Sequence, residues 1–229
     1  DIIEHSNIER NIKIFNELVE LFRNRSPIPD DNEFPKVKPK LVNYEFPDKF
    51  LTKAHLSHCL NKHRIDNITN ALMGIYNDEI IIKYIVPWAF DSKNINPNVD
   101  LIFSQAVMEH IKDVNESYSN MYDWLNYKAY MSHQIDFSAH ETHKKWHGHW
   151  KYGIKTWNFI MHGRSYYINR YPNSYHVSSL KKNGFTVLSQ TPFYKESATS
   201  VNSKLNKNID FTIDDLRTAS NLIIVNKTY

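Results

Sequence analysis

Histidine is concentrated in one short stretch of this sequence. Five of the twelve histidines fall within seventeen residues, from His133 to His149; one tryptophan lies among them and a second follows directly. An imidazole titrates near neutral pH and can take a proton from a hydroxyl group as a general base. A carboxylate in the same stretch could orient such a base through its second ring nitrogen. The residues that could do this chemistry are His133, Asp136, His140, His143, His147 and His149, interleaved with Trp146 and Trp150.

A predicted strand over residues 129–137 must position the first part of this stretch. Side chains alternate along a strand, so His133 lies on one face and Asp136 on the other, and the two need not enter one pocket. Asp136 is nearest the C-terminal end of the strand, where parallel sheets gather ligand-binding groups. We therefore favour Asp136 as a site residue, with His133 and His140 as further candidates for a base.

A metal centre is an alternative use of the same histidines. His140, His143 and His147 are three and four residues apart, which on a helix would place them along one side. No His-Glu-x-x-His pattern and no second group of ligands accompany them in the sequence, so we assign no metal ligand. The third interpretation is that polar histidines line a groove for an acceptor substrate.

The composition is that of a packed globular protein. Hydrophobic residues make up 41% of the 229 residues and aromatic residues 14%, which argues against disorder. The net charge of +3 and the scattered Lys and Arg give no reason to expect a nucleic-acid partner. One cysteine excludes an internal disulfide, and no apolar run approaches the roughly 20 residues that span a bilayer. We expect one cytoplasmic domain over residues 1–229, and leave its oligomeric state open.

The order of the predicted elements indicates an α/β fold. A helix over 7–24 with Ser6 as its N-cap and a helix over 48–73 with a break near 61–64 form the N-terminal part, separated by proline-rich sequence. Short apolar strands that alternate with helices then predict a parallel sheet, with its first two strands buried on both faces. The predicted strands cover 80–86, 99–104, 129–137, 185–190 and 221–225, and the predicted helices cover 113–125, 174–182 and 214–220.

The segment from Val99 to Ile111 resembles a stretch of a known family. Its Asp100, Ser104 and Glu109-His110 match the pattern D-x-I-x-S-x-x-V-L-E-H-V of class I S-adenosylmethionine-dependent methyltransferases. In those enzymes this stretch covers the fourth strand and the loop after it. The resemblance spans about residues 75–226 and implies a Rossmann-like fold, in which a mostly parallel sheet has an antiparallel C-terminal strand.

The use of glycine departs from that family. Its members bind the cofactor on an acidic-Gly-x-Gly-x-Gly turn after the first strand, where glycine lets the backbone approach the ligand closely. The first of the five glycines here is Gly74, so residues 1–73 hold no such turn. The resemblance therefore implies that the first strand and glycine loop are missing from this chain. Asp1 would match the carboxylate that holds both ribose hydroxyls.

The resemblance implies further residues for binding S-adenosylmethionine. Trp88 and Ala89 take the positions that pack against the adenine ring, and Ser104 and Gln105 border the methionine half of the cofactor. A core tryptophan and a polar turn are the alternative interpretations of these pairs. His110 lies either beside the cofactor, as a catalytic candidate, or in the packing of its loop.

One subgroup of the family is more similar still. The segments 103–110, 131–137, 146–150 and 168–170 resemble methyltransferases of bacterial type that are associated with surface-glycan synthesis. The implied acceptor is a sugar hydroxyl of a glycan or glycolipid precursor. Trp150 would stack on the sugar, and His149 and Arg170 would bind its hydroxyls, whereas core packing is the alternative for the tryptophan. The competing function is a binding or scaffold module with this fold and no cofactor.

Overall fold

The chain divides into two compact units, residues 1–89 and residues 90–229. The structure is a computed structural model that describes residues 7–35, 37–77, 79–80, 82, 98–196, 205 and 209–228. The expectation of one domain over residues 1–229 stays a prediction. None of the helices within the described ranges is long and apolar enough to cross a membrane.

The described residues of the first unit form three helices, α1 (Ile8–Arg23), α2 (Lys53–Cys59) and α3 (Lys62–Leu72). Helix α1 confirms the helix predicted over 7–24, and Asn7 caps it by accepting a hydrogen bond from the Arg10 amide at 2.9 Å. Ser6, the expected cap, lies outside the described residues. The predicted break near 61–64 is confirmed, because Asn61 starts a new helix by capping α3.

The second unit is built on a mixed sheet. Its strands are β1 (Val99–Gln105), β2 (Leu125–Asp136), β3 (Phe185–Tyr194) and β4 (Thr218–Lys227), and its helices are α4 (Val114–Trp124), α5 (Ile154–Met161) and α6 (Asn173–Lys182). Two 3₁₀ turns, Met108–His110 and Gly148–Lys151, lie in the connections. The strand predicted over 80–86 falls mostly outside the described residues.

Three of the four described strands run in the same direction. The order is β1-β2-β4-β3, with β1 parallel to β2, and with β4 antiparallel to both of its neighbours. Among the described strands, only β4, the last of them in the sequence, is therefore reversed. This sheet confirms the predicted fold class, a Rossmann-like α/β fold that is mostly parallel with an antiparallel C-terminal strand.

Strand β2 shows why the sheet has one buried face. Its odd-numbered residues from Ala129 to Ile135 are buried and its even-numbered residues are more exposed, as strand geometry requires. The buried face packs with α4 and α6 in a core that includes Tyr118, Met131 and Leu180. The prediction that β1 is buried on both faces is wrong, because Leu101 and Phe103 are 61% and 65% exposed. Strand β1 carries these two side chains on the face opposite the core.

The helix predicted over 214–220 is also wrong. Residues 213–217 form a turn, and β4 begins at Thr218. The turn is fixed by the buried carboxylate of Asp215, which accepts hydrogen bonds from the backbone and hydroxyl groups of both Ser174 and Thr212 at 2.6–2.8 Å. The tie between Asp215 and Ser174 and the start of β4 at Thr218 leave room for a single turn and for no longer helix.

Candidate functional site

The interior face of β2 holds a polar pair that joins two strands. Ser104 on β1 and His133 on β2 are register partners, and the serine hydroxyl lies 2.7 Å from the imidazole Nδ1. His133 has no exposed surface, and burial lowers its pKa to about 4. The ring faces Tyr118, whose hydroxyl lies 3.0 Å from Nδ1 of His176. His133 is therefore held neutral within the core, away from the end of the strand.

A second polar group forms where β1 and β2 end. We call Glu109, His110, Asp136 and His140 the strand-end cluster. One ligating atom from each of Glu109, His110 and His140 lies within 4.8 Å of the others. Asp136 Oδ2 lies 3.8 Å from Nε2 of His140, and its Oδ1 accepts a hydrogen bond from the Ser138 amide. Three of the predicted catalytic residues, Asp136, His140 and His110, thus lie together, and His133 does not join them.

Both histidines of the cluster present the same ring nitrogen. Nδ1 of His110 lies 2.8 Å from the Tyr167 carbonyl oxygen, and Nδ1 of His140 lies 2.7 Å from the Ser138 carbonyl oxygen. A carbonyl oxygen can only accept, so each Nδ1 carries the proton and each Nε2 of the neutral ring keeps a lone pair. Burial is the main cause that lowers the pKa of His110, and the neighbouring His140 lowers it further. Both rings are thereby set to accept a proton or a cation at Nε2.

Glu109 is the member of the cluster that the sequence analysis did not assign. Its side chain is 2% exposed, and neither carboxylate oxygen has a hydrogen-bond partner among the described residues. Burial raises its pKa to about 8, and the nearby Asp136 contributes to the increase. The backbone N–H groups of Glu109 and Asp136 oppose it from positions that do not meet hydrogen-bond geometry. The motif around Glu109 was a signal for this residue, but nothing in the local pattern showed that its carboxylate is buried and unpaired.

Glu109→Gln is expected to stabilise the metal-free protein by about 3 kcal/mol at pH 7. Ionisation of Glu109 is favoured in the unfolded chain and opposed in the folded one, because its pKa rises from 4.5 to about 8 on folding. A neutral amide of the same shape removes that difference. Urea unfolding of the parent and the variant at pH 7 and at pH 4.5, with a chelator present, measures the gain in unfolding free energy. The gain should nearly vanish at pH 4.5, and an equal gain at both pH values would contradict this account.

Asn169 holds the 3₁₀ turn that carries Glu109 and His110. Its side-chain amide donates to the carbonyl oxygens of Met108 at 2.7 Å and Ile111 at 2.9 Å, and its backbone amide donates to that of Glu109 at 2.7 Å. These three bonds tie the turn to the chain near residue 169. The backbone that carries Glu109 is therefore fixed by a segment about 60 residues away in the sequence.

The same segment lines a cleft of about 560 Å³. Arg170 lies over the Trp157 ring at 5.1 Å, and its Nη1 donates to the Tyr152 carbonyl oxygen. Tyr171 and Tyr175 stack with their ring centroids 4.0 Å apart. We call this the aromatic cleft. Its lining residues are Ile154, Trp157, Tyr167, Asn169, Arg170, Tyr171, Pro172, Tyr175, Ile209 and Asp210.

The remaining residues of the histidine-rich stretch are mostly in the interior. His149 and Trp150, predicted to bind substrate, are each 1% exposed, and burial lowers the pKa of His149 to about 3. This burial favours core packing as the role of Trp150. The arrangement of His140, His143 and His147 along a helix is wrong, because residues 140–147 form turns and bends. Because this segment is not a helix, the spacing of three and four residues does not place the three histidines on one side of it.

Of the residues predicted to bind the cofactor, two lie within the described part of the chain. The Gln105 side chain is exposed at the end of β1, where an amide can both donate to and accept from a ligand. The Ser104 hydroxyl is committed to His133. Asp1, Trp88 and Ala89 lie outside the described residues. Among the described positions, Gln105 alone fits a cofactor at this end of the sheet without giving up another contact.

Several solved methyltransferase structures are similar to this chain. An S-adenosylmethionine-dependent methyltransferase from Methanosarcina mazei is 11% identical over 58% of this chain and 61% of its own, with a TM-score of 0.38. One from Mesorhizobium loti is 13% identical over 57% and 62%, with a TM-score of 0.32. Phosphoethanolamine N-methyltransferase 2 from Haemonchus contortus, in complex with S-adenosyl-L-methionine, is 15% identical over 58% and 34%, with a TM-score of 0.35.

These similarities are low in identity and in extent. The chain spans less than two thirds of the length of each of those three proteins. No family model matches the sequence, and no curated protein matches it. At these TM-scores the likeness assigns neither a cofactor nor a substrate to this chain.

Proposed function

We propose that the protein is an S-adenosylmethionine-dependent O-methyltransferase whose acceptor is a sugar hydroxyl of a glycan or glycolipid precursor. The observation that supports the proposal is the adjacency of the strand-end cluster and the aromatic cleft. Tyr167 accepts the hydrogen bond from His110 and also lines the cleft, and Asn169 holds the turn of Glu109 and lines it too. The candidate bases of the strand-end cluster and the apolar surface of the aromatic cleft are thus connected through Tyr167 and Asn169.

The cluster offers a base for the acceptor hydroxyl. Nε2 of His140 keeps its lone pair because Nδ1 donates to the Ser138 carbonyl oxygen. Proton transfer to Nε2 makes an imidazolium, and the carboxylate of Asp136, 3.8 Å away, stabilises that charge. The bound cofactor supplies the methyl group. The protein positions the hydroxyl for in-line attack, which is most of what such a displacement requires.

The aromatic cleft suits a saccharide. A sugar ring presents apolar C–H faces that pack on aromatic rings, and hydroxyls around its rim that bind charged and amide groups. The stacked Tyr171 and Tyr175 provide the first kind of surface, and Arg170 and Asp210 provide the second. The guanidinium of Arg170 is oriented by Trp157 and by Tyr152 before any ligand arrives.

Tyr175→Ala is expected to raise KM for a saccharide acceptor about fivefold and to leave kcat within about twofold, because stacking contributes on the order of 1 kcal/mol. Initial rates with labelled S-adenosylmethionine and a panel of glycan and glycolipid acceptors measure this. Tyr194→Ala, which removes a half-exposed tyrosine from the end of β3, is the matched control. A lowered kcat with unchanged KM would show that Tyr175 does not bind the acceptor.

Calorimetric titration with S-adenosylhomocysteine tests the proposal as a whole. We expect saturable binding by the full chain, and labelled methyl transfer to at least one saccharide hydroxyl. A protein that releases no heat at millimolar ligand and labels no acceptor would instead be the binding or scaffold module. Methyl transfer to amines and to no hydroxyl would show that the protein is a methyltransferase whose acceptor is not a sugar hydroxyl.

A further inference from the structure

We propose that the strand-end cluster binds a divalent transition-metal ion, with Glu109, His110 and His140 as its ligands. Two of these three residues lie outside the histidine-rich stretch, and the proximity of all three is visible only in the folded chain. The binding itself does not depend on the methyltransferase proposal. Three features support it, namely the spacing of the donor atoms, the orientation of the two rings and the state of the carboxylate.

The spacing of the donors is close to that of a bound ion. Donor atoms of His and carboxylate ligands sit about 2.0–2.2 Å from an ion such as zinc, so two donors on one ion are roughly 3–4 Å apart. The three candidate donors lie within 4.8 Å of one another. Small side-chain rotations would close this distance around an ion. Asp136 Oδ2, 3.8 Å from His140 Nε2, is within reach of a fourth position.

The orientation of both rings is that of metal-binding histidines. Such histidines almost always donate their other ring N–H to a carbonyl or carboxylate oxygen, which fixes the tautomer and the direction of the lone pair. His110 donates from Nδ1 to the Tyr167 carbonyl oxygen, and His140 does so to the Ser138 carbonyl oxygen. Both Nε2 atoms are therefore ready to coordinate without any change of protonation.

The carboxylate of Glu109 requires a partner that the described residues do not supply. It is 98% buried, and neither oxygen accepts a hydrogen bond from the described chain. A buried carboxylate is normally paired with a cation or coordinates a metal. A divalent ion between Glu109 and the two imidazoles would displace the carboxyl proton and pair with the charge of the carboxylate.

The donor set favours some ions over others. Two imidazole nitrogens and one carboxylate suit Mn²⁺, Fe²⁺, Co²⁺ and Zn²⁺, whereas Mg²⁺ and Ca²⁺ prefer oxygen ligands. Three protein ligands leave positions open for water or for a substrate oxygen. An ion there would occupy Nε2 of His140, so in the metal-bound protein the ion, and not His140, would make the acceptor hydroxyl lose its proton more readily. That last role rests on the proposed function, whereas the binding of the ion does not.

Cobalt(II) titration of tag-free protein, first stripped with a chelator, tests the site. We expect visible absorption bands of bound Co²⁺ that saturate at one ion per chain, and an increase in thermal stability with metal. Glu109→Gln and His140→Asn should each weaken Co²⁺ binding by at least tenfold. Circular dichroism in the far ultraviolet verifies that both variants are folded. His162→Asn, which removes an exposed histidine from the end of α5, should bind as the parent does.

The outcomes separate this proposal from the methyltransferase assignment. No Co²⁺ or Mn²⁺ binding by the folded parent at millimolar metal would overturn the site. Equal binding by the parent, Glu109→Gln and His140→Asn would place the ion on other histidines and overturn it as well. Metal binding without S-adenosylhomocysteine binding would support the metal site and contradict the methyltransferase. Binding of S-adenosylhomocysteine without metal binding would support the methyltransferase and contradict the metal site.

Discussion

In the metal-free protein, His140→Asn is expected to lower kcat for methyl transfer about 10²–10⁴-fold, the usual contribution of a positioned general base. Nε2 of His140 is the group in the cluster that combines a free lone pair with a neighbouring carboxylate. Asparagine keeps a polar side chain of similar length but cannot take the proton. Initial rates with labelled S-adenosylmethionine, measured with a chelator between pH 6 and pH 9, give both the loss of kcat and any change in its pH dependence.

Two comparisons make this result specific. Asp136→Asn should lower kcat less than His140→Asn does, because it removes the charge that stabilises the imidazolium and leaves the base in place. His162→Asn should have the parent rate, since that side chain is exposed at the end of α5 and has no part in the cluster. A His140→Asn protein that folds and keeps the parent kcat would eliminate His140 as the base.

The stability of the metal-free protein is expected to fall steeply as the pH is lowered from about 6.5 to 4.5. Burial lowers the pKa of His133 to about 4 and those of His149 and His176 to about 3. Their unfolded-state pKa is about 6.5, so in this range the unfolded chain binds up to three more protons than the folded one does. The free energy of unfolding therefore decreases as the pH falls through this range.

Glu109 acts in the opposite direction over the same range. Its folded pKa of about 8 means that the folded protein holds one proton that the unfolded chain has released above pH 4.5. The net difference is about two protons, or about 2.7 kcal/mol of unfolding free energy per pH unit. Above pH 7 the histidines are neutral in both states, and the remaining Glu109 contribution makes stability decrease towards pH 8. Stability should therefore be greatest near neutral pH.

Urea unfolding at half-unit steps from pH 4.5 to pH 8, with a chelator present, measures this profile. In Glu109→Gln the acid slope should steepen towards three protons, and the decrease above pH 7 should disappear. A parent protein with constant stability from pH 6.5 to pH 5 would show that the three histidines are not buried in the neutral form.

Local patterns in the sequence were sufficient for most of the sheet. The alternation along residues 129–137 correctly indicated that His133 and Asp136 face opposite sides, because one side of β2 is buried and the period of a strand is two. The exposed face of β1 was missed because a run of apolar residues does not show which face the helices will cover. The turn at 213–217 was missed because Asp215 is held from Ser174, a contact between distant parts of the chain.

The candidate site was predictable in part for the same reason. Asp136, His140 and His110 could be selected by residue type and by their positions near strand ends, and the structure brings them together, although their roles stay predictions. Glu109 could not be selected. Its burial depends on the hydrogen bonds from Asn169 that fix the 3₁₀ turn, and its proximity to His140 depends on the parallel pairing of β1 with β2.

The position of β4 bears on the order in which the protein is made. This strand is synthesised after the other three described strands of the sheet, yet it lies between β2 and β3 and contributes Ile223 and Val225 to the core. During translation, β2 therefore has a hydrogen-bonding edge that stays open while some 80 further residues emerge from the ribosome. A nascent chain that ends before Thr218 exposes that edge to other chains, which makes it a substrate for chaperones or for aggregation. The sheet can close only after residue 227 has cleared the exit tunnel.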